Sequence, residues 1–516
     1  MEDVSPSHNA GGLSDRARLL IFRGQYAFGD RSLAFPTHFR RIDTPDGMCF
    51  AACRAVPVHM VADGENYLVL AGFCFDSDRP GTSLAAIASR LALQPIEDLV
   101  DATASFVGRW VIISRRVSTH IAFHDAAGVY PVVHMGRGSD AVLASSSKLI
   151  EAISPGHAPS ELIDERFAEL QRRPGLHAGQ SFPLRLTSFA DVFALLPNHR
   201  LDISTGEQHR YFPAVAMPGD QRAVELAPVI AKRFLRIIRS IASNRRLALA
   251  ATGGYDSRMI QAAIHATPGI ASSIRCFTFQ YPHDPDAQDS DLVAMKRLAT
   301  LTGVSFRVIP AAADDPGDAI KQVARASEEF FATGFEGWAE QAASEFGDGT
   351  LILMGWASEI ARGFYRWPGS DCVTPNDLAG CTGVASIPEF IPEFERWLVD
   401  ANRASTLSGV PVLDLFYWEN RVGRWCSGGL NILNTAADWI TPFSCRDLLS
   451  TMLRVREADR AGGEQALYRE VVRQLRPELL SVPINPVSLR KRARRGLIHS
   501  LQRTKQVVNS LVKNQG

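Results

Sequence analysis

Residues 247–261 read LALAATGGYDSRMIQ. Five apolar residues run unbroken from Leu247 to Ala251, followed by a threonine, two glycines, a tyrosine, an acid, a hydroxyl and an arginine. A short apolar run closed by turn residues suits a buried strand, and the residues from Ser257 onward suit the start of a helix. In an open α/β sheet, ligands bind beyond the carboxyl ends of the strands, where loops meet helix N-termini. Gly253 and Gly254 permit a positive φ and leave room for an oxyanion against the backbone. The free N–H groups of the first helical turn face that anion, and the helix dipole adds about 0.3–1 kcal/mol. Thr252 and Ser257 each add a hydroxyl donor. Asp256 is out of place beside phosphates unless a Mg²⁺ bridges it to them. T-G-G-x-D-S after a strand therefore describes a pyrophosphate cradle with a metal ligand attached. The same residues also fit a plain strand-to-helix turn in which Asp256 or Thr252 caps the helix. No Gly-Lys-Ser/Thr occurs anywhere in the chain, and the loop does not match G-x-G-x-x-G.

The segments around the loop set the fold class. Before it, LLIFRG, YLVLAGFCF, RWVIIS, HIAFHD, YPVVHM and AVLASS read as short strands separated by turn residues, with helical stretches at GTSLAAIASRLAL and SELIDERFAELQRR. A hairpin-like segment with STGE as its turn follows, and residues 213–220, PAVAMPGD, read as a linker. Beyond the linker the pattern changes to a helix over 222–244, the strand LALAA, a helix from Ser257, the strand IRCFTFQ, the loop YPHDPDAQ, a helix over 290–302 and the strand SFRVIP. Strands alternating with helices predict a parallel sheet covered on both faces. From Asp318 onward the chain reads as mostly helical.

Composition narrows the function classes. The 516 residues suffice for two or three domains, and the 55 basic and 55 acidic residues cancel, so no global field calls for nucleic acid. Eight scattered cysteines form neither a disulfide framework nor a zinc pattern, since Cys49 and Cys53 lack a second pair nearby. They read as buried free thiols, and with a polar N-terminus and no spanning segment the expected compartment is the cytoplasm. The 27 residues from Arg490 carry eight Lys/Arg and no acid, in a tail with apolar residues at helical intervals. That tail reads as a frayed terminal helix, or as a contact for a pathway partner protein or an anionic membrane surface.

The hexapeptide resembles the S-G-G-x-D-S loop of ATP-pyrophosphatase-type enzymes, and its surroundings resemble the asparagine synthetase family. DSDLVAMKRLATLTG (289–303) is similar to that family's acid-x₂-Ala helix. LILMGWASEIARGFY (351–365) is similar to its Gly-Glu-Gly-Ser-Asp-Glu-x-x-Gly-Gly-Tyr segment, and ADWITPFSCRDLL (437–449) to its Glu-x-Arg-x-Pro-Phe-x-Asp segment. HDAAGVYPVVH (124–134) and ASSSKLI (144–150) resemble strands of the family's N-terminal amidotransferase-like domain. The resemblance spans nearly the whole chain in matching order. It implies an α/β protein with an N-terminal amidotransferase-like (Ntn-type) α+β sandwich over 1–215. A parallel-sheet ATP-pyrophosphatase-type synthetase domain with a mostly helical C-terminal part follows over 216–490, and the basic tail over 491–516. It also implies an ATP- and Mg²⁺-dependent ligase that adenylates a small-molecule or peptide carboxylate, releases pyrophosphate and couples the acyl group to an amine. By resemblance Thr252, Gly253, Gly254, Ser257 and Ser358 hold the nucleotide, Asp256 and Glu359 bind Mg²⁺, and Glu359 and Asp438 are the catalytic candidates. Without the resemblance, Glu359 also reads as an acid favoured at a helix start.

The chain departs from the family at three places. Glutamine-using members carry a cysteine after the initiator Met, but here position 2 is Glu2 and no cysteine precedes Cys49. The N-terminal domain is therefore expected to lack glutaminase activity, as in β-lactam synthetases and lasso-peptide cyclases; glutamine-hydrolysing asparagine synthesis would require a different start. Trp356 stands where the family has a catalytic glutamate or a tyrosine, and an indole cannot accept a proton. The family's late lysine has no counterpart in RPELLSVPINP, with Arg476, Arg490 and Lys491 the nearby basic residues. These departures favour a cyclase or tailoring ligase over primary asparagine synthesis, with a nucleotide-binding scaffold that has lost amide chemistry as the alternative. YWENRVGRWC (417–426) reads as a helix packing its aromatics inward, and Glu328, Glu329, Glu336 and Glu340 as a solvated helix face.

Overall fold

The computed structural model describes residues 15–117, 119–154, 181–243, 245–279, 285–310, 318–329, 335–347, 349–366, 372–461 and 464–484. The expected helix over 160–173, residues 281–284 of the expected loop 281–288 and the basic tail lie outside them; the rest of that loop is helical, in Pro285–Thr302. The N-terminal part contributes twelve strands among the described residues. They are β1 (Tyr26–Asp30), β2 (Phe39–Asp43), β3 (Met48–Cys53), β4 (Val58–Asp63), β5 (Asn66–Asp76) and β6 (Phe106–Arg116). β7 (Thr119–His124), β8 (Val133–Met135), β9 (Val142–Ala144), β10 (Phe193–Ala194), β11 (His199–Asp202) and β12 (Glu207–Arg210) complete the set. They form two six-stranded sheets, ordered β10-β8-β9-β1-β3-β2 and β12-β11-β7-β6-β5-β4, whose paired strands run antiparallel. The inner faces meet over Tyr26, Phe28, Phe50, Val69, Val111 and Ile113, all essentially inaccessible to water. The helix Leu84–Ala92 covers an outer face, with Ile87 and Leu91 set against Leu68, Leu70 and Ile112.

The second part is built on a parallel sheet of β13 (Arg246–Ala250), β14 (Arg275–Phe279), β15 (Ser305–Ile309), β16 (Thr350–Leu353) and β17 (Asp438–Ile440). Their order is β15-β14-β13-β16-β17. The α/β architecture expected from the sequence, an antiparallel sandwich followed by a helix-covered parallel sheet and a mostly helical remainder, is the one observed. Two sheet strands lie within that remainder, β16 and β17. The helix expected over 222–244 spans Ala223–Ala242, with Leu226, Ile230, Phe234, Ile237 and Ile241 on its buried stripe. Ala466–Leu475 packs against both that helix and the helix Tyr255–His265. YWENRVGRWC is a buried helix with i→i+5 bonding, and Tyr417, Trp418 and Cys426 point into the core.

The two parts are joined through charge as well as apolar contact. The inaccessible carboxylate of Asp125 accepts hydrogen bonds from the N–H groups of Ala127, Val129 and Tyr130 and, at 2.6 Å, from the Ser444 hydroxyl. Glu419, fully buried, takes Arg210 on both carboxylate oxygens, Asn198 Nδ2 at 3.0 Å and Trp397 Nε1 at 2.8 Å. Glu328 and Glu329 do not form the solvated face expected of them. Both are buried, because distant segments supply their partners: Asn431 Nδ2 donates to Glu328, and Ser147, Ser188 and Arg424 to Glu329. Glu336 and Glu340 sit on a separate helix, Phe335–Phe346, and Glu340 alone of the four is exposed. The cysteines are free, and six of the eight are buried, Cys372 being exposed and Cys381 half-buried. No helix among the described residues is long and apolar enough to cross a membrane.

Candidate functional site

The order of the parallel sheet decides which loops meet at its carboxyl edge. From β13 the chain steps outward to β14 and β15, then returns to the other side of β13 for β16 and β17. Strand order therefore reverses between β13 and β16, so the loops leaving their carboxyl ends stand at the topological switch point of the sheet. The first loop is Thr252–Gly254, leading into the helix Tyr255–His265. The second is Gly355–Ala357, leading into the 3₁₀ turn Ser358–Arg362. Of the eight predicted site residues, all but Asp438 lie on these two loops or in the first turns they lead into.

The first loop is held by its own hydroxyls. Ser257 Oγ donates to the Thr252 carbonyl at 2.8 Å and accepts from the Thr252 N–H at 3.0 Å, while Thr252 Oγ1 accepts from the Gly254 N–H at 3.3 Å. Neither glycine takes the left-handed conformation the sequence allowed; Gly254 is extended, with φ −77° and ψ 177°. What the missing side chains provide is open backbone. A carboxylate already uses it: Asp291, from the acid-x₂-Ala helix, accepts the Gly253 N–H at 2.9 Å. An oxyanion on a glycine N–H at a helix N-terminus is the chemistry expected of an anion cradle. Arg258, fully buried in the first turns of the helix, donates to the Gly253 carbonyl at 3.2 Å. It also reaches the carbonyls of Leu479, Val482 and Pro483, tying the loop to the C-terminal segment.

The second loop delivers Ser358, Glu359 and Arg362 to Asp256. Asp256 Oδ1 accepts from both the Ser358 hydroxyl and Arg362 Nη2. Tyr468 lies under the guanidinium, 4.9 Å from ring centroid to Cζ, and its O–H donates to the Ser358 carbonyl at 2.5 Å. Glu359 is half-buried beside them; burial and then the charge of Asp256 push its carboxyl up to about 7. The approach of the two loops depends on Gly355, where a Cβ would stand 2.6 Å from Asp256 Cβ. Ala357 enters the turn at φ 72°, a left-handed conformation costly for any residue but glycine.

Trp356 points away from this group. Its ring packs against Phe335 and Trp425 at centroid distances of 5.3 and 5.4 Å, and its carbonyl accepts the Thr441 hydroxyl at 2.5 Å. Asp438 is not brought to the site. It pairs in register with Leu351, two residues before the end of β16, and its carboxylate is taken by Arg23 at 3.1 Å. As a catalytic candidate it is set aside on that geometry. Arg476 forms a surface pair with Glu478 at 2.5 Å, and Arg490 and Lys491 lie outside the described residues. The arginine at the centre is Arg362, which sequence reasoning missed. The available signal was its spacing, three residues after Glu359, which in a 3₁₀ turn returns a side chain to the same side.

A Mg²⁺ does not fit the pair as it stands. Asp256 carries a guanidinium and a hydroxyl donor on one oxygen. Among the described residues no group of three or more His, Cys, Asp or Glu is placed to hold a metal ion. A hard divalent cation wants about six oxygen ligands, and here its place against the carboxylate is filled by a cation of the protein's own.

No family model matches the chain, and no curated protein matches it. Several solved structures do. The glutamine phosphoribosylpyrophosphate (PRPP) amidotransferase from B. subtilis complexed with ADP and GMP is 9% identical, with a TM-score of 0.23; the match covers 66% of this chain and 70% of that one. A structure described as the allosteric regulatory enzyme of purine biosynthesis is 9% identical with a TM-score of 0.25, covering 64% of this chain and 88% of that one. At those values the likeness carries no functional argument.

Proposed function

We propose that this chain is an ATP-dependent, amide-forming ligase of the asparagine-synthetase type, which adenylates a substrate carboxylate, releases pyrophosphate and passes the acyl group to an amine. The observation that carries the reading is the meeting of two loops at the switch point: an anion cradle after β13 and the Ser358–Arg362 turn after β16. A carboxylate oxygen attacks the α-phosphorus of ATP in line, and negative charge gathers on the departing pyrophosphate. Arg362 and the helix N-terminus are the groups that meet this charge, joined by the Gly254 N–H and the hydroxyls of Thr252 and Ser257 once these exchange their present bonds within the loop for phosphate oxygens. The amine must then lose a proton, which Trp356 cannot accept. Glu359, with its carboxyl at about 7, is poised to accept a proton near neutral pH.

In this reading the N-terminal amidotransferase-like sandwich is a buttress rather than a glutaminase. Asp125 holds Ser444, three residues from the Thr441 that fixes the Trp356 carbonyl. A second reading, a nucleotide-binding homologue without amide chemistry, is favoured by one observation: the Trp356 ring is locked into an aromatic cluster where a base is wanted. ATP–pyrophosphate exchange across a panel of amino acids, organic acids and peptides separates the two. The ligase reading expects exchange with at least one acid and its loss in Asp256→Ala; saturable ATP binding with no exchange from any acid gives the second.

A further inference from the structure

We infer that Arg362 is the built-in cation of this site, seated against Asp256 in the place a protein-held divalent ion would need, so that phosphate charge is met by a guanidinium. The inference rests on the nucleotide reading for its purpose, though not for its geometry. Three features of the molecule carry it. Arg362 Nη2 and the Ser358 hydroxyl converge on the same oxygen of Asp256, which leaves that oxygen no free face for a metal. The guanidinium plane is backed by the ring of Tyr468, which is buried and itself anchored to the Ser358 carbonyl, so the fork is held rather than swinging in solvent. Finally, Arg362 Nε is buried and has no hydrogen-bond acceptor. A buried guanidinium whose Nε–H is unused is a donor set that a phosphate oxygen completes, since the planar fork matches tetrahedral oxyanions as it matches carboxylates.

Charge gives the same result. Asp256 and Glu359 bring two acids to one point, and a site of that kind either recruits a divalent ion or supplies its own base. This chain supplies its own base, from the turn that also carries Glu359. Removing the guanidinium then leaves two adjacent carboxylates and the Ser358 hydroxyl with no cation, which is a metal site in the making.

The test needs no nucleotide. Mn²⁺ is titrated into the full chain and free ion followed by electron paramagnetic resonance, for wild type, R362A, R362K, D256N and R362A/D256N. Expected is a single site in R362A at least about tenfold tighter than any in wild type, lost in R362A/D256N, with R362K resembling wild type. A wild-type Mn²⁺ site that disappears in D256N overturns the inference even if R362A fails to fold, and so does a folded R362A that gains no site. A calorimetric arm titrates ATP in EDTA and in Mg²⁺. Wild type is expected to bind within about threefold in the two buffers, and R362A to weaken at least about tenfold in EDTA. ATP affinity in wild type that vanishes in EDTA contradicts Arg362 as the resident cation. If ATP binds in neither buffer while the Mn²⁺ pattern holds, the ligase reading falls and the assignment of Arg362 stands.

Discussion

Replacing Gly355 with alanine asks whether the two loops need to touch. A Cβ at 355 would sit 2.6 Å from Asp256 Cβ and 3.4 Å from the Ser257 nitrogen. Ordinary carbon–carbon contact is about 3.5–4.0 Å, so the loops must separate by about 1 Å. Neither obstacle is the free end of a side chain: one is a Cβ fixed to its backbone and the other is backbone itself. The strain therefore falls on the two loops, at about 1–3 kcal/mol for overpacking of this size. The functional cost is larger than the stability cost, since about 1 Å of misplacement at a reacting centre lowers a rate roughly 100-fold. Urea unfolding measures the first quantity, and pyrophosphate exchange or ATP titration the second. Gly380→Ala is the control. It lies in the helix Pro375–Thr382 with nothing within 4 Å of where its Cβ would stand, and is expected to gain about 0.5–1 kcal/mol. A Gly355→Ala protein with wild-type stability and undiminished nucleotide affinity would refute the dependence of the site on this contact.

Three further outcomes are expected. Ala357→Gly relieves a left-handed backbone and should raise stability by up to about 1 kcal/mol in urea unfolding, whereas a loss would mean the methyl group packs usefully in the turn. Burial and then the charge of Glu329 push Glu328 up to about 7, so the native state binds a proton the unfolded chain releases above its ordinary 4.5. Stability then falls as pH rises between about 4.5 and 7, by about 3 kcal/mol for this group. Glu359 adds a similar fall over the same window, so Glu328→Gln should remove one proton from the slope and leave the other; an unchanged slope refutes the assignment. Glu419→Ala strips Arg210, Asn198 and Trp397 of a shared buried acceptor and should cost about 3–5 kcal/mol, while a loss below about 1 kcal/mol would show that water or Asp400 replaces it.

Much of this fold was legible because its signals are local. LALAA followed by TGGYDS carries strand, turn and helix start within eleven residues, and the structure places β13 and the helix Tyr255–His265 there with a one-residue offset at the strand and two at the helix. β16 and β17 were not read as strands because four and three residues are too few to show a period, and each is flanked by helices. Glu328 and Glu329 were misplaced for a different reason. Their burial is decided by Ser147, Ser188, Arg424 and Asn431, between 95 and 182 residues away, and nothing near them in the chain records it. At the site, the types and spacing of Thr252, Asp256, Ser257 and Ser358 drew attention to two loops that the structure brings together. The partner of Asp256 was hidden because an arginine inside a segment resembling a metal-binding one carries no sign of which acid it will meet.

On the proposed function, the switch point between β13 and β16 holds the phosphates of ATP. A crystal structure of the chain with ATP tests it most directly. The pyrophosphate end is expected at the helix N-terminus, within hydrogen-bond distance of the Gly254 N–H and the Ser257 hydroxyl, with Arg362 reaching a phosphate oxygen. A nucleotide bound elsewhere, or phosphates held through a metal on Asp256 with Arg362 turned away, would contradict it.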